Sequence, residues 1–423
     1  MSEKTTCVVV GGGPAGIFAG LLLARAGVEV VVLEKHGDFL RDFRGDTVHP
    51  STLRLLDELG LFERFDKLPH TKLQRMRVTK PDGQQVVMAD LTRLRTPHPY
   101  IAMVPQWDLL DMLAEVGSEE PDFDLRMNHE VTGLLWDESG RVSGVRYKSP
   151  TGIGELHADL TLVCDGRWSL CRQEAGLVPR GFPVGTDIWW FRAPRVPGIG
   201  EELVPRFKDG KLLGIIPRQG YLQIPQFIRK GDDARLRARG VEAFRDDLAD
   251  VVPELSGVVD EIESMDEVKL LDVRINRLSR WYTDGLLCIG DAAHAMSGLG
   301  GVGINLAVQD AVAAARILAA PLREKRVARE DLAAVQRRRM FPAVVTQAAQ
   351  ILAHRHLVDP VFTGGKLSGP GWLLPIIERF GWLTVIPAYF IGIGVRPEHA
   401  PAFARRARWL GRSRSGQVSG FER

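Results

Sequence analysis

Cysteine is scarce in this 423-residue chain: there are four, Cys7, Cys164, Cys171 and Cys288. None forms a CxxC pair and none has metal-ligand spacing, so no metal centre is expected. Cys7, Cys164 and Cys288 each sit in an apolar, strand-like run, where a thiol behaves as a small hydrophobe. A reducing, cytoplasmic setting fits. Charge of one sign is also missing. The formal net charge is only +2, so general nucleic-acid binding is not expected. The arginines 405, 406, 408, 412 and 414 are the local exception, and they read as a solvated tail. The N-terminus enters a strand almost at once, with no signal-peptide pattern. Long apolar runs are absent too. Trp372 to Val395 is apolar, but Pro375, Pro387, Glu378 and Arg379 interrupt it, which makes a poor membrane span. Docking on the protein itself is the plain reading of this stretch, and lying on a membrane surface is the alternative. There is no low-complexity segment.

What is present is glycine, 44 residues of it, in a chain long enough for two or more lobes. Thr5 to Val10 is a β-branched run that reads as a buried strand. Gly11, Gly13 and Gly16 follow with G-x-G-x-x-G spacing, with Pro14 and Ala15 between them. Ala15 to Ala26 then reads as a helix, and Val28 to Leu33 as a second buried strand. This is a βαβ unit with its loop at the strand exit. Gly11 makes the tight turn, Gly13 lets a pyrophosphate approach the backbone, and Gly16 lets the helix pack on the strand. Glu34, followed by Lys35, closes the second strand about 20 residues on, where an acid can take ribose hydroxyls. An acid there argues against a 2′-phosphate. The unit predicts a dinucleotide but does not separate NAD from FAD.

A second glycine loop lies roughly 280 residues later. Leu286 to Ile289 reads as a strand with Asp291 at its exit, then Gly300, Gly301, Val302, Gly303, Ile304 and Asn305 open a helix. A carboxylate there can accept from the hydroxyls of a sugar-alcohol chain. The helix N-terminus would favour negative charge on a reduced ring. Between the two loops, Ala158 to Cys164 reads as another strand, with Asp165-Gly166-Arg167-Trp168-Ser169 and Arg172 after it. Two loops so far apart suggest one long cofactor held at both ends.

In these residues the chain resembles the single-component FAD-dependent aromatic hydroxylases, the para-hydroxybenzoate hydroxylase family, over about residues 5 to 345. Gly11 to Gly16 with Glu34 resembles that family's adenosine-diphosphate site. Asp165-Gly166 resembles its DG motif, and Gly290-Asp291 its GD motif, which holds the ribityl chain. Arg44, in the stretch to Leu53, resembles its flavin-contacting arginine loop. Gln106 stands where a family arginine or glutamine reaches the cofactor. Two positions depart from the family: Gly298 stands where proline is frequent, and Val302 where glutamine is frequent. Both would fall on the ring side of the loop.

The resemblance implies an α/β fold: a Rossmann-like FAD-binding domain, an inserted mixed β-sheet substrate domain and a helical C-terminal segment. The partition expected is 1–70, 100–177 and 273–350 for FAD, 71–99 and 178–272 for substrate, and 351–423 for the C-terminal segment. Within the insert, Lys72–Thr79 and Gln84–Asp90 read as a hairpin around Asp82-Gly83. Thr186–Arg192, Lys211–Pro217 and Tyr221–Ile228 read as strands roofing the ring. Trp189, Trp190, Phe191, Ile215, Tyr221 and Gln223 are pocket candidates, with Gly298 facing them. Strand faces alternate, so about half can point inward.

The implied activity is an FAD-dependent monooxygenase that uses NADH or NADPH, bound transiently, and O2. It would hydroxylate an aromatic or other hydrophobic small molecule through a flavin C4a-hydroperoxide. No residue is assigned as a catalytic base: His49 and His294 are available, and each reads as structural. The alternatives are a flavoprotein reductase of isoprenoid double bonds, a flavin-dependent halogenase and a non-catalytic flavin-binding redox sensor. The halogenase Trp-x-Trp-x-Ile-Pro signature is not matched by Asp187-Ile188-Trp189-Trp190-Phe191. Nothing in the sequence chooses between NADH and NADPH or sets an oligomeric state.

Overall fold

The uncharged run Thr5–Val10 forms most of strand β1 (Glu3–Val10), which is fully buried from Cys7 onward. The computed structural model describes residues 3–40, 47–79, 84–200, 202–363, 376 and 379–406. Pro14, whose fixed φ suits a first helical turn, opens α1 (Pro14–Ala24), buried all round from Ala15 on. β2 (Val30–Leu33) lies parallel to β1, with Val10 opposite Leu33. Then come α2 (Pro50–Glu58), α3 (Gln106–Ser118) and β3 (Phe123–Arg126), the last parallel to β2. β4 (Glu130–Trp136), β5 (Val142–Ser149) and β6 (Gly152–Val163) form an antiparallel meander. The later half of β6 runs parallel to β1, Val163 beside Val10.

The chain next builds a five-stranded sheet from β7 (Thr186–Pro194), β8 (Val204–Lys208), β9 (Lys211–Pro217), β10 (Tyr221–Arg229) and, after α4 (Gly240–Val251), β11 (Lys269–Leu271). Its order is β8-β9-β10-β7-β11. The α/β class with an inserted sheet is as expected. The insert is antiparallel in every described pairing, however, not mixed. The tight turns that join β8 to β9 and β9 to β10 permit no parallel crossover. The expected hairpin is present as Arg75–Thr79 paired with Gln85–Asp90, and its Asp82-Gly83 turn lies outside the described residues.

β12 (Leu286–Cys288) returns to the large sheet, parallel to β6. α5 (Val302–Arg323) and α6 (Arg329–Ala353) follow, then a π-helical turn His354–Val358 and α7 (Val385–Gly392). Among the described residues, the one helix long and apolar enough to cross a membrane is Leu299–Arg323, and 78% of its apolar window is buried. It is a core helix: Val308, Ala311, Val312 and Ala315 join Ile17, Leu21 and the β1 valines in one cluster. All four cysteines are free thiols, and burial pushes Cys7 up to about 12 and the other three upward as well.

Candidate active site

β1, β2, β6 and β12 run parallel, so Val10, Leu33, Val163 and Cys288 end along one edge of the sheet. The carboxyl edge is where open α/β sheets bind ligands. Gly11, Glu34, Asp165 and Asp291, singled out from four distant segments, are brought together there.

At one end, Glu34 is buried, and both of its carboxylate oxygens accept from backbone N–H groups: Gly12 at 2.8 Å and His36 at 3.0 Å. A Cβ at Gly16 would lie 1.9 Å from the Gly11 carbonyl oxygen, so only glycine lets α1 start this close to the strand. A Cβ on Gly13 would meet nothing within 4 Å. That space fronts the N-terminus of α1, at Pro14 and Ala15, and unsatisfied N–H groups there suit a pyrophosphate. Lys35 is exposed beside it.

At the other end, Asp291 accepts from Arg167 Nη2 at 3.2 Å. Arg172 is buried and donates to the Ala292 carbonyl at 3.1 Å and to the Arg167 carbonyl at 2.9 Å, which ties the two strand exits together. Burial pushes the Asp165 carboxyl up, although Ser169 and the Cys171 N–H oppose the shift. Its Oδ1 is buried without a hydrogen-bond partner among the described residues. Gly301 has φ +64°, and a Cβ there would come within 2.5 Å of Thr47 Oγ1, which donates to the Gly301 carbonyl at 3.0 Å. Val302, Gly303 and Ile304 form the first turn of α5 and present its N–H groups. Asn305 Oδ1 accepts from Ser51 Oγ at 2.8 Å and Thr52 Oγ1 at 2.6 Å, so its oxygen is used to tie α5 to α2 and only the amide NH2 is left for a ligand. Gln106 opens α3, just after the strand Ile101–Met103, which pairs with Thr47–Val48. Arg44 lies outside the described residues. The clamped Glu34, the open ground before α1, the unpartnered Asp165 oxygen and the α5 N-terminus fit a long dinucleotide such as FAD.

The loop between Asp291 and Gly301 is held by His294, which the sequence offered as a structural histidine, and by Asp310, Arg339, Gln347, Gln350 and His354, which it did not single out. His294 Nε2 contacts Asp310 Oδ2 at 2.6 Å; Asp310 also takes the Gly290 N–H at 3.1 Å and Arg339 Nε at 2.9 Å. Burial raises the Asp310 carboxyl, and His294 and Arg339 together overcome this and hold it below the usual range. His294 is therefore a structural clamp. Helix α6 grips the next residues. Gln347 donates to the Ala295 carbonyl at 3.0 Å, Gln350 to the Ser297 and Leu299 carbonyls at 2.9 Å each, and His354 Nε2 meets Ser297 Oγ at 2.6 Å. The other nitrogen of His354 meets Thr186 Oγ1 of β7 at 3.1 Å. The polar stripe Gln347, Gln350, His354 on one face of a helix was the available signal. His49 is buried, with Nδ1 2.8 Å from the Ile391 carbonyl, and burial lowers it from its ordinary 6.5 to about 4.

The substrate sheet divides the pocket candidates by face. Trp189, Phe191 and Ile215 point away from the loop and pack with Phe244, Leu248 and Val251 of α4. Their assignment to the pocket is corrected: α4 covers that face, and an apolar residue there belongs to a core. Trp189 Nε1 is also committed, to Asp233 Oδ1 at 2.6 Å. The opposite face carries Trp190, which clusters with Ile216, Met103 and Ile393, together with Gln223 and Tyr221. Gln223 Oε1 accepts from Arg218 Nε at 2.8 Å, and Arg192 stacks on the Tyr221 ring at 4.6 Å. Gly298 faces this side: a Cβ there would touch Ile188 Cδ1 at 3.3 Å and Leu271 Cδ2 at 3.4 Å.

Comparison with known proteins gives a consistent set. The family described as FAD binding domain matches residues 4–349. A 6-methylpretetramide 4-monooxygenase from Streptomyces rimosus is 32% identical over 368 residues, 84% of this chain and 85% of that protein. A para-nitrophenol 4-monooxygenase from Pseudomonas sp. (strain WBC-3) is 26% identical over 365 residues, 79% of this chain and 83% of that protein. In fold, a probable FAD-dependent monooxygenase from Pseudomonas aeruginosa, PqsL, superimposes with a TM-score of 0.72 at 20% identity, covering 86% of this chain and 99% of that one.

Proposed function

The chain belongs to the FAD binding domain family, and from that premise we propose that it is an FAD-dependent monooxygenase, using NADH or NADPH and O2 to hydroxylate an aromatic or other hydrophobic small molecule. The observation that carries this reading is the row of strand exits, Gly11, Glu34, Asp165 and Asp291, with the loop after Asp291 meeting the inserted sheet where Gly298 faces Ile188 and Leu271. We assign residues 1–70, 100–177 and 273–350 to FAD, 71–99 and 178–272 to substrate, and 351–423 to a C-terminal segment, in the cytoplasm.

The chemistry that bound FAD would supply is the passage of two electrons from the nicotinamide donor to O2, one oxygen atom of which would go to the substrate and the other leave as water. The chain's own groups do the rest. Glu34 would accept the ribose hydroxyls while its backbone clamp keeps it oriented. Gly13, Pro14 and Ala15 would seat the pyrophosphate on α1, and Asp291 would accept from the sugar-alcohol chain. The N–H groups of Gly301 to Ile304 would stabilise negative charge at the ring. Trp190 and Ile216 would hold the substrate and keep water out. Neither His294 nor His49 is placed to move a substrate proton: His294 is engaged with Asp310, and His49 with the Ile391 carbonyl.

The test is aerobic turnover of the purified protein with NADH or NADPH and a panel of phenols and polyketides. Substrate-stimulated donor oxidation and a product heavier by one oxygen atom are expected. Equal turnover without air, with reduction of a carbon–carbon double bond, would replace this reading with the isoprenoid-reductase one.

A further inference from the structure

Helix α6 serves both lobes. Leu332, Val335 and Ala343, from its earlier part, join the core of the large sheet. Beyond its C-terminal end, Val358 and Val361 pack with Leu212 and Phe227 of the inserted sheet. Where one set of contacts gives way to the other, the helix widens into the π turn His354–Val358, a geometry frequent at functional sites. His354 opens that turn and is buried.

Both of its nitrogens are used, each by a different lobe. Nε2 meets Ser297 Oγ of the second glycine loop at 2.6 Å, and Nδ1 meets Thr186 Oγ1 of β7 at 3.1 Å. Ser297 Oγ also accepts the Leu299 N–H at 3.2 Å. An unbroken hydrogen-bonded chain therefore runs from the sheet, through the imidazole, to the backbone of the loop. Burial lowers His354 from its ordinary 6.5, against the pull of Asp359, so the ring is neutral at pH 7. A neutral imidazole has one donor and one acceptor, and two hydroxyls satisfy it in either tautomer. Ser297 and Thr186 are buried as well, so bulk water does not compete for these bonds.

The bridge stands beside the substrate face. Side chains alternate along a strand, so Thr186, Ile188 and Trp190 share one side of β7. Ile188 and Trp190 cluster together there. On the loop, Ser297 is followed by Gly298, where a Cβ would touch Ile188 Cδ1 at 3.3 Å. The imidazole is thus a spacer at one edge of the gap between loop and sheet. We propose that His354 is a positioning residue: it fixes the spacing between the second glycine loop and β7, and with it the gap across which a substrate on the Trp190 face meets the cofactor. The use of that spacing rests on the monooxygenase reading; the bridge itself does not.

The experiment is hydrogen–deuterium exchange of the full chain, read by mass spectrometry at peptides covering residues 295–301 and 186–190. Thr186→Val keeps the shape of the side chain and removes its hydroxyl, whereas Thr186→Ser keeps the hydroxyl. The valine variant should speed exchange of 295–301 by about fivefold or more, and the serine variant should leave it as in the parent. Ser297→Ala cuts the chain from the loop side and should speed exchange of 186–190 in turn, because coupling between two sites is reciprocal. Unchanged loop exchange in a folded Thr186→Val overturns the proposal. Should Thr186→Val exchange throughout, and so fail to fold, Ser297→Ala decides, and unchanged exchange of 186–190 overturns it. In turnover with the phenol and polyketide panel, Thr186→Val should convert about threefold less of its donor oxidation into oxygenated product. A loosened loop with donor oxidation as well coupled as in the parent overturns the positioning role. A parent that oxygenates no member of the panel sinks the monooxygenase reading instead, and the exchange result then decides the bridge by itself.

Discussion

Glu34 accepts from two backbone N–H groups, one on each carboxylate oxygen, so the fold itself fixes the orientation of its carboxylate. Glu34→Ala removes that acceptor and leaves the Gly12 N–H unmet. Retention of FAD should weaken by about 1–3 kcal/mol, roughly fivefold to 150-fold, in a flavin-fluorescence titration. Neighbours in sequence can also have opposite roles. Phe191 is fully buried and meets Phe244 edge-on at 4.9 Å, whereas Trp190 lies on the opposite face, the one proposed to hold the substrate. Phe191→Ala should cost about 3–5 kcal/mol in denaturant unfolding. Trp190→Ala should instead raise KM and uncouple donor oxidation from product, with a smaller loss of stability.

His49 is neutral at pH 7 because burial lowers it to about 4 from an ordinary 6.5. Its folded value lies below its unfolded one. As pH falls from about 6.5 towards 4 the unfolded chain takes up a proton that the folded chain refuses, and stability drops by about 3 kcal/mol. His49→Gln keeps a donor for the Ile391 carbonyl and removes the titration. Its unfolding free energy should be flatter across that window, as measured by urea melts at several pH values.

At the scale of elements, the second glycine loop is held from the side by α6. Gln350 accepts the Ser297 N–H and donates to two loop carbonyls, so both its amide hydrogens and its oxygen bind the loop. Gln350→Leu leaves those buried backbone groups unmet. Thermal stability should fall by about 2 kcal/mol or more, and the absorption of bound flavin should shift as the loop loosens. The same loop meets the inserted sheet at Gly298, whose φ of −65° any residue can adopt. Gly298→Ala therefore costs little in backbone strain. Its methyl group presses on Ile188 and Leu271 and narrows the gap between loop and sheet. The expected result is a raised KM with nearly unchanged unfolding, read by steady-state kinetics beside a melt.

At the scale of the whole molecule, the βαβ unit and the four strand exits were legible because each depends on local pattern, namely β-branched runs, glycine spacing and the acid that follows, while the α/β class with its insert followed from the family resemblance of those motifs. The face assignment of Trp189, Phe191 and Ile215 was not legible. Period-two alternation states that Trp189 and Trp190 point to opposite sides, but which side is the pocket depends on where α4 lands, more than 40 residues later. The antiparallel course of the insert depended likewise on β8 and β11, short strands with weak patterns of their own. The clamp from α6 joins residues about 50 apart, and no local rule links Gln350 to Ser297.

The sequence by itself determined where the strands end in glycines and acids, because glycines at strand exits and an acid after β2 act through backbone geometry that is local. The tertiary structure alone decided which face of the inserted sheet meets the Gly298 loop, what holds that loop in place and which half of the stretch Gly381–Gly392 is left in water. Those depend on packing partners brought together from distant parts of the chain.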